Sequence, residues 1–272
     1  MARAHSMSIW SWVGIVMGAL LALVIQLPAQ WLAAGLSTAT HAQVQIQEAR
    51  GTLWQGSGKL VFTGGEGSRD ALALPGRLQW QLGLSLFDAG RPQLHLQLHA
   101  PCCMSTPTQM HIGLAQGFKG LQLTVDDHQS RWPADLLSGL GAPWNTMQPE
   151  GHLLLETQQL HILWSQQPIQ LQGMLQLTGQ NISSKLSTLR PMGTYQIKLS
   201  AESTNASSLS SPRLSLATLS GSLLLSGQGQ WQGSHFQFRG EASAVPEHAA
   251  ALSNLLNIIG RRQGARSLLS LG

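Results

Sequence analysis

The chain has 272 residues, of which 43% are hydrophobic and 10% charged, so it can bury a sizeable core but has few groups for ionic chemistry. Its formal net charge is +4, yet the basic residues are scattered, and the nearest approach to a cluster is Arg261, Arg262 and Arg266. Nucleic-acid recognition needs a concentrated basic face, so we predict no nucleic-acid partner.

The first long feature is an uncharged apolar run from Ser8 to Leu27. As a helix it would span roughly 30 Å, which matches the hydrocarbon thickness of a bilayer. A cleaved signal peptide is disfavoured because its apolar region usually covers only about 7 to 15 residues. We therefore predict a cytoplasmic tail at residues 1–7, a single transmembrane helix at 8–27 and a periplasmic β-rich domain at 28–272.

The flanks of this run set the expected orientation. Trp10 and Trp12 at one end and Trp31 at the other would lie at the two membrane interfaces, where indole rings are favoured. Arg3 precedes the run, and the positive-inside rule then places the N-terminus in the cytoplasm. The expected location is a bacterial inner membrane, with the C-terminal domain in the periplasm and one helix contacting lipid.

Helical spacing continues beyond the apolar run, because Trp31, Leu32 and Leu36 recur on one face. We expect the helix to run on past Pro28. From His41 the period changes to two, which predicts a half-buried strand that includes Val44 and Ile46.

A glycine-rich segment around one tryptophan follows this strand. Glycine tolerates the φ values of sharp turns and bulges, so the segment predicts a kinked β-ribbon whose large ring covers the space left by the glycines. We expect Trp54 to be substantially buried against neighbouring strands. Together with a second tryptophan further along, the predicted structural motif consists of Gly51, Leu53, Trp54, Gly56, Gly58 and Trp80.

Alternating apolar residues recur at short intervals through the rest of the chain, with Gly, Pro, Ser and Asn between them. The expected strands lie at 60–62, 78–86, 94–98, 121–125, 153–164, 169–177, 195–199, 215–225, 231–238 and 265–271. Two short helices are expected at 133–140 and 246–259. The absence of long helical patterns between strands excludes βαβ architecture, so we predict a curved, antiparallel, mainly β domain.

Several segments, in this order, resemble the type II secretion system protein N family. They are the apolar N-terminal run, the segment Gly51-Thr52-Leu53-Trp54-Gln55-Gly56, the segment Gly76-Arg77-Leu78-Gln79-Trp80, and the ending Leu255-Leu256-Asn257-Ile258-Ile259-Gly260. The resemblance implies an accessory inner-membrane component of the machine that exports folded proteins across the outer membrane. Its partners would be other inner-membrane components of that machine, and the chain itself could form an oligomer.

No catalytic motif accompanies these segments, and we predict that the chain is not an enzyme and has no cofactor. His95 and His99 have a chelating spacing only on a helix; on the expected strand they stand about 13 Å apart, so we predict no metal site. The segment Asp126-Asp127-His128 is expected to form a solvated turn.

Cys102 and Cys103 are the two cysteines of the chain and are adjacent. A periplasmic domain would permit their oxidation. Their Cα atoms are about 3.8 Å apart, below the usual range for disulfides, which excludes an ordinary core bridge. The pair is a candidate redox site, either as a vicinal disulfide or as bridges to another chain.

Two classes of function are consistent with the sequence. One is a non-catalytic scaffold of the secretion machine, tethered by its helix. The other is an envelope module that binds lipid or another hydrophobic ligand in a β-groove, since the family is grouped with AsmA-like proteins. An inward apolar face has the same pattern in both cases.

Overall fold

We describe the protein from a computed structural model, which covers residues 9–85, 92–115, 120–164, 169–201, 211–232 and 235–272. The expected cytoplasmic tail and Ser8 lie outside these ranges, as does the end of the strand expected at 78–86. The described residues form a mainly β structure, as the sequence predicts.

The helices within the described ranges are short. They are α1 (Ile9–Ile25), α2 (Gln30–Ala39), α3 (Trp144–Met147) and α4 (Ala249–Ile259), with 3₁₀ helices at Ala134–Leu140 and Pro246–His248. None of the helices in the described ranges is both long enough and apolar enough to cross a bilayer, and α1 itself has 17 residues.

The expectation that one helix runs on past Pro28 is wrong. Proline has no N–H to continue a helical ladder. Pro28 instead forms a β-bridge with Thr52, and α2 begins two residues later, at Gln30. α1 and α2 are therefore separate helices.

Most of the described strands alternate apolar and polar residues, as the period of two predicts. The described strands are β1 (Val44–Gly51), β2 (Gln55–Thr63), β3 (Ala71–Ala73), β4 (Leu78–Ser85), β5 (Gln93–His99), β6 (Thr108–Leu114), β7 (Leu121–Val125), β8 (His128–Pro133), β9 (Pro149–Trp164), β10 (Gln170–Ser184), β11 (Gly193–Ala201), β12 (Pro212–Gly221), β13 (Leu223–Gln232), β14 (His235–Ala244), β15 (Arg261–Gln263) and β16 (Arg266–Leu271).

These strands form one open antiparallel sheet. Its order is β1-β2-β4-β5-β6-β7-β9-β10-β11-β12-β13-β14-β16-β15, with β3 paired to β2 and β8 paired to β9. The single strand expected at 231–238 is wrong, because it spans the end of β13 and the start of β14, and so is the one expected at 215–225, where the chain reverses between β12 and β13. Gly221, with φ +122°, ends β12 at that reversal, and a Cβ at this position would meet the backbone of Gly193.

The core lies on one face of the sheet and is covered at two places. Near β1, α2 and the 3₁₀ helix Ala134–Leu140 cover a cluster that includes Trp80 and Leu78. Near β14, α4 covers a second cluster through Leu252, Leu255 and Leu256. The apolar face between them carries a smaller cluster on the middle strands, to which no described helix contributes.

Candidate functional site

The predicted motif lies where the end of α1 meets the turn between β1 and β2. We call this contact the helix–sheet joint and define it as residues 24–29 together with residues 51–55. The backbone N–H of Leu53 donates to the carbonyl of Leu27 at 2.7 Å, and that of Ala29 donates to the carbonyl of Gly51 at 3.1 Å. The joint thus connects the sheet to the segment that follows α1 through backbone hydrogen bonds.

The turn at residues 51–55 is closed by its own hydrogen bonds. The N–H of Thr52 donates to the carbonyl of Gln55 at 2.9 Å, and the N–H of Gln55 donates to Oγ1 of Thr52 at 3.1 Å. Gly51 has φ +91°, a conformation that residues with a side chain rarely adopt. This explains why the segment begins with glycine followed by threonine.

Trp80 is the buried tryptophan that lies beneath the joint, on β4. Its side chain lies under the turn with 3% of its surface exposed, and its Nε1–H donates to the carbonyl of Leu53 at 3.1 Å. The ring lies directly against Gly56, where an added Cβ would overlap it. The glycine at position 56 is therefore required by the ring of a neighbouring strand.

Trp54, expected to be substantially buried against neighbouring strands, is more exposed than Trp80. Its side chain is only partly buried, and its Nε1–H donates to the carbonyl of Val24 near the end of α1 at 2.9 Å. That carbonyl belongs to the last turn of the helix, where carbonyls lack intrahelical partners. Trp54 therefore caps α1 instead of filling the core between strands.

Arg77, the residue just before β4, stabilises the same region through hydrogen bonds. This role was not predicted from the sequence. β1 contains a bulge at Glu48, whose φ is +50°. An Nη2–H of Arg77 donates to the carbonyl of Glu48 at 2.6 Å and to that of Ser57 at 3.1 Å. The only sequence clue was the position of this arginine in the Gly76–Trp80 segment, three residues before the buried ring.

Glu48 adds charge interactions to the contact between Arg77 and the β1 bulge. A hydrogen bond from Lys59 holds the pKa of the Glu48 carboxyl below its ordinary value, and the charges of Lys59 and Arg77 act in the same direction. Nη1 of Arg77 lies 3.3 Å from Oε2 of Glu48.

Gly58 lies on the adjacent strand, where a Cβ would overlap the side chain of Ile46.

Cys102 and Cys103 lie in the turn between β5 and β6 and are joined by a disulfide. Of the two alternatives left open by the sequence, the structure contains the vicinal one. Cys103 is buried and Cys102 is exposed, at the edge of a cleft of about 720 Å³ that also contains Arg131 and His152. The N–H of Arg131 donates to the carbonyl of Cys103 at 2.8 Å, which ties the turn to β8.

The histidines lie on strands and do not converge on a metal. His95 and His99 are both in β5, as predicted, and His95 packs edge-on against His111 with ring centroids 4.5 Å apart. Within the described ranges, no group of three or more His, Cys, Asp or Glu side chains could hold a metal ion.

Asp126 and Asp127 are exposed and connect β7 to β8, as predicted for a turn, whereas His128 is already the first residue of β8. Oδ1 of Asp127 accepts a hydrogen bond from the N–H of Gln159 at 2.6 Å, so this carboxylate fixes the bulge of the neighbouring strand β9. Burial lowers the pKa of His128, which favours its neutral form.

Comparison with known proteins gives one finding for this arrangement. No curated protein and no solved structure matches the chain. The sequence model of the family described as type II secretion system (T2SS), protein N, matches residues 42–268, which include β1 to β15, residues 51–55 of the joint and α4. The resemblance found in the sequence is thereby confirmed, and the chain belongs to the type II secretion system protein N family.

Proposed function

We propose that the protein is a non-catalytic, membrane-tethered component of the type II secretion system that holds a large β-sheet in a fixed position at the inner membrane. The observation that supports this most strongly is the helix–sheet joint. A flexible tether would need no hydrogen bonds between helix and sheet, whereas here three connect residues 24–29 to residues 51–54.

The tether in this proposal is the uncharged run from Ser8 to Leu27, of which α1 covers Ile9–Ile25. Large apolar side chains are exposed along this helix, including Met17, Leu21 and Leu23 at 63% or more. Such a surface is costly in water and favourable in lipid. With Arg3 before the run, we place the N-terminus in the cytoplasm and residues 28–272 in the periplasm.

Two fusions test this topology. Alkaline phosphatase fused after Gly272 is active only in the periplasm, so we expect high activity. A fluorescent protein at the same position, exported unfolded, should remain dark. The reverse pattern would refute the proposed orientation.

Isolation of the tagged full-length protein from membranes after crosslinking tests the partners. We expect other inner-membrane components of the secretion system to be recovered in fixed ratios. Trp54→Ala should reduce this recovery by loosening the joint, whereas Trp144→Phe, a change at an exposed ring outside the joint, should not. Recovery of no secretion component with the wild-type protein would contradict the proposal.

A second candidate function is the binding of lipid or another hydrophobic ligand, and one observation favours it. Apolar side chains on the uncovered face of the middle strands are exposed, among them Leu121 and Trp164, which face each other on β7 and β9, and Leu84 at 59%. Mass spectrometry of extracted lipid decides between the candidates. A fixed ratio of phospholipid to protein, without any secretion component, would favour this second function.

A further inference from the structure

We propose that the disulfide between Cys102 and Cys103 is a site of thiol–disulfide exchange whose substrate is an anionic thiol, that is, a thiolate with a second negative charge close by. Such a thiol is either a small molecule or a cysteine in an acidic segment of another protein. The site lies in the turn between β5 and β6, and no residue of the helix–sheet joint lines its cleft. The exchange chemistry therefore does not depend on the proposed function.

A role as a structural staple does not account for this bridge. A disulfide stabilises a fold chiefly by restricting the unfolded chain, and this effect grows with the number of residues in the closed loop. Cys102 and Cys103 are adjacent, so their loop is the shortest possible. The turn is also held by its own hydrogen bonds, because the N–H groups of Cys103 and Met104 both donate to the carbonyl of Ala100 at 2.9 Å. The distinctive property of the bridge is thus the chemistry of an accessible S–S bond.

The two cysteines differ in exposure, which decides the sulfur that a thiolate can attack. Cys103 has 7% of its surface exposed and belongs to the core cluster that α2 covers. Cys102 is exposed. Because exchange requires contact between the attacking sulfur and a sulfur of the disulfide, Sγ of Cys102 is the electrophile. Cys103 is then the leaving group.

Cys102 opens onto a cleft of about 720 Å³ that has two basic side chains on its wall, Arg131 and His152. Strand pairing places them on one side of the sheet. Arg131 and Pro133 are two residues apart on β8, and Pro133 faces His152 on β9. The other described lining residues are cysteines, prolines, a methionine and a serine, so the lining contains no carboxylate.

The carboxylates that flank His152 along β9 interact with other groups. Glu150 forms an ion pair with Arg190 at 2.9 Å, and Glu156 accepts hydrogen bonds from two glutamine side chains. Among the residues that the structure describes, no carboxylate lies within ion-pair distance of the guanidinium of Arg131. Arginine remains charged at any ordinary pH. The cleft beside the exposed sulfur therefore attracts both a thiolate and a further anionic group on the same molecule.

The exchange consists of two balanced steps. The first substrate thiolate attacks Sγ of Cys102, the S–S bond breaks, and its electron pair leaves on Sγ of Cys103, which takes up a proton from water. This gives a mixed disulfide at Cys102 and a free thiol at Cys103. A second substrate thiolate then attacks the substrate sulfur of the mixed disulfide, and Cys102 leaves as a thiolate and is protonated. Two substrate thiols thereby become a disulfide, and the protein disulfide gains two electrons and two protons.

Reaction of the oxidised full chain in phosphatidylcholine nanodiscs with small thiols tests the inference. The probes are 2-mercaptoethanesulfonate, which is anionic, and cysteamine, which is cationic, at equal thiolate concentration. Acid quenching, alkylation and intact mass spectrometry follow the opening of the disulfide with time. The test variant Arg131→Gln keeps the backbone N–H that donates to Cys103. The control Arg69→Gln removes the same charge from an exposed position outside the cleft, and melting temperatures confirm that both variants fold.

We expect Arg131→Gln to lower the ratio of the rate with the anionic thiol to the rate with the cationic thiol by about threefold to fivefold, the effect of one exposed charge. Comparing this ratio between variants cancels the different intrinsic reactivities of the two thiols. The ratio for Arg69→Gln should equal that of the wild type, and added salt should lower the wild-type ratio through screening. An unchanged ratio in Arg131→Gln, or a disulfide that neither thiol opens in the folded protein, would overturn the inference.

Two cysteine variants test which sulfur is attacked. In Cys103→Ser, the disulfide of 2-mercaptoethanesulfonate should form a mixed disulfide at Cys102 that no neighbouring thiol can release. In Cys102→Ser, the remaining thiol is buried, so the folded protein should form this adduct much more slowly. Equal rates of adduct formation in the two variants would contradict the assignment of Cys102 as the attacked residue.

The Cys103→Ser variant also identifies the source of the thiol in cells. Intact mass spectrometry of the variant purified from membranes without reductant should show an adduct at Cys102. A small adduct with an anionic group indicates a small-molecule thiol, whereas an adduct of protein size indicates a cysteine of a partner, whose flanking sequence should be acidic. Recovery of Cys102 as a free thiol would overturn the inference, while recovery of secretion components with the wild-type protein would still support the proposed function.

Discussion

Trp54 lies in the joint and Trp80 lies beneath it, and the two rings differ in burial. Trp80 is enclosed between the turn and the core cluster that α2 covers. Trp54 is partly exposed and is hydrogen-bonded to α1. Trp80→Ala should therefore lower the free energy of unfolding by about 3 to 5 kcal/mol, the usual cost of truncating a buried aromatic. Trp54→Ala should cost about 1 to 2 kcal/mol, mainly through one hydrogen bond and partial burial.

Denaturant unfolding of both variants in the same detergent measures this difference. An equal or larger loss for Trp54→Ala would contradict the assignment of Trp80 as the structural ring. Sequence patterns identified both tryptophans but not their order of burial, because each follows a glycine within a strand pattern. Only the packing of β4 under the turn distinguishes them.

Gly56 is a second residue with a specific steric requirement. A Cβ at this position would overlap the ring of Trp80, so Gly56→Ala should destabilise the fold by about 1 to 3 kcal/mol through overpacking. Gly83→Ala on β4 is the matched control, since nothing lies within 4 Å of a Cβ there. Thermal unfolding should separate the two variants clearly. Equal effects would show that the glycine at 56 serves only the flexibility of the backbone.

Glu48 gives the joint region a dependence on pH. Its pKa is lowered in the folded protein by the hydrogen bond from Lys59, so its contribution to stability is present above the ordinary pKa of 4.5. That contribution should be lost as the pH falls through the lower pKa of the folded state. The difference in melting temperature between the wild type and Glu48→Gln should accordingly shrink on acidification. A difference in melting temperature that is constant or grows toward low pH would contradict a stabilising role for the ionised Glu48 carboxylate.

At the scale of elements, the turn between β5 and β6 contains the disulfide. Intact mass spectrometry of unreduced protein should give a mass two hydrogens below that of the reduced chain, and alkylation should modify neither cysteine. Reduction should make both Cys102 and Cys103 reactive. Two alkylated cysteines in unreduced protein from the periplasmic side would contradict the vicinal bond, and a dimer that dissociates on reduction would indicate bridges between chains.

Most elements could be predicted from the sequence because a period of two is a local property. β1, β4, β5 and β7 lie where apolar residues alternate. β8 was not predicted, because its segment His128–Pro133 has no such alternation and is positioned by pairing with β9. The hairpin at Gly221 was missed because the apolar pattern continues across it, so the reversal depends on one glycine with positive φ.

The expected course of the chain after α1 failed for a related reason. Trp31, Leu32 and Leu36 do lie on a helix, but a helical period does not specify whether two helices are joined or separate. The break at Pro28 is fixed by its bridge to Thr52, a contact between segments 24 residues apart. A single contact between distant segments produces no periodic pattern in the sequence, so it could not be predicted from one.

For the whole molecule, the order of the strands could be inferred only in part. An antiparallel sheet with mostly sequential neighbours follows from short connections and the lack of crossover helices. The register across β11 to β14 does not follow from them, because a shift of one residue would move every side chain to the other face. Which side chains share a face across these strands consequently became visible only in three dimensions.

The central claim is that the joint holds the sheet rigidly against α1. Distance measurements between spin labels at Leu20→Cys in α1 and Gln81→Cys in β4, in the full chain in nanodiscs, test it most directly. The native cysteines are bonded to each other and should not take label. We predict one narrow distance distribution in the otherwise wild-type protein, a broad one with Trp54→Ala and an unchanged one with Trp144→Phe. A broad distribution before any change at Trp54 would contradict the claim.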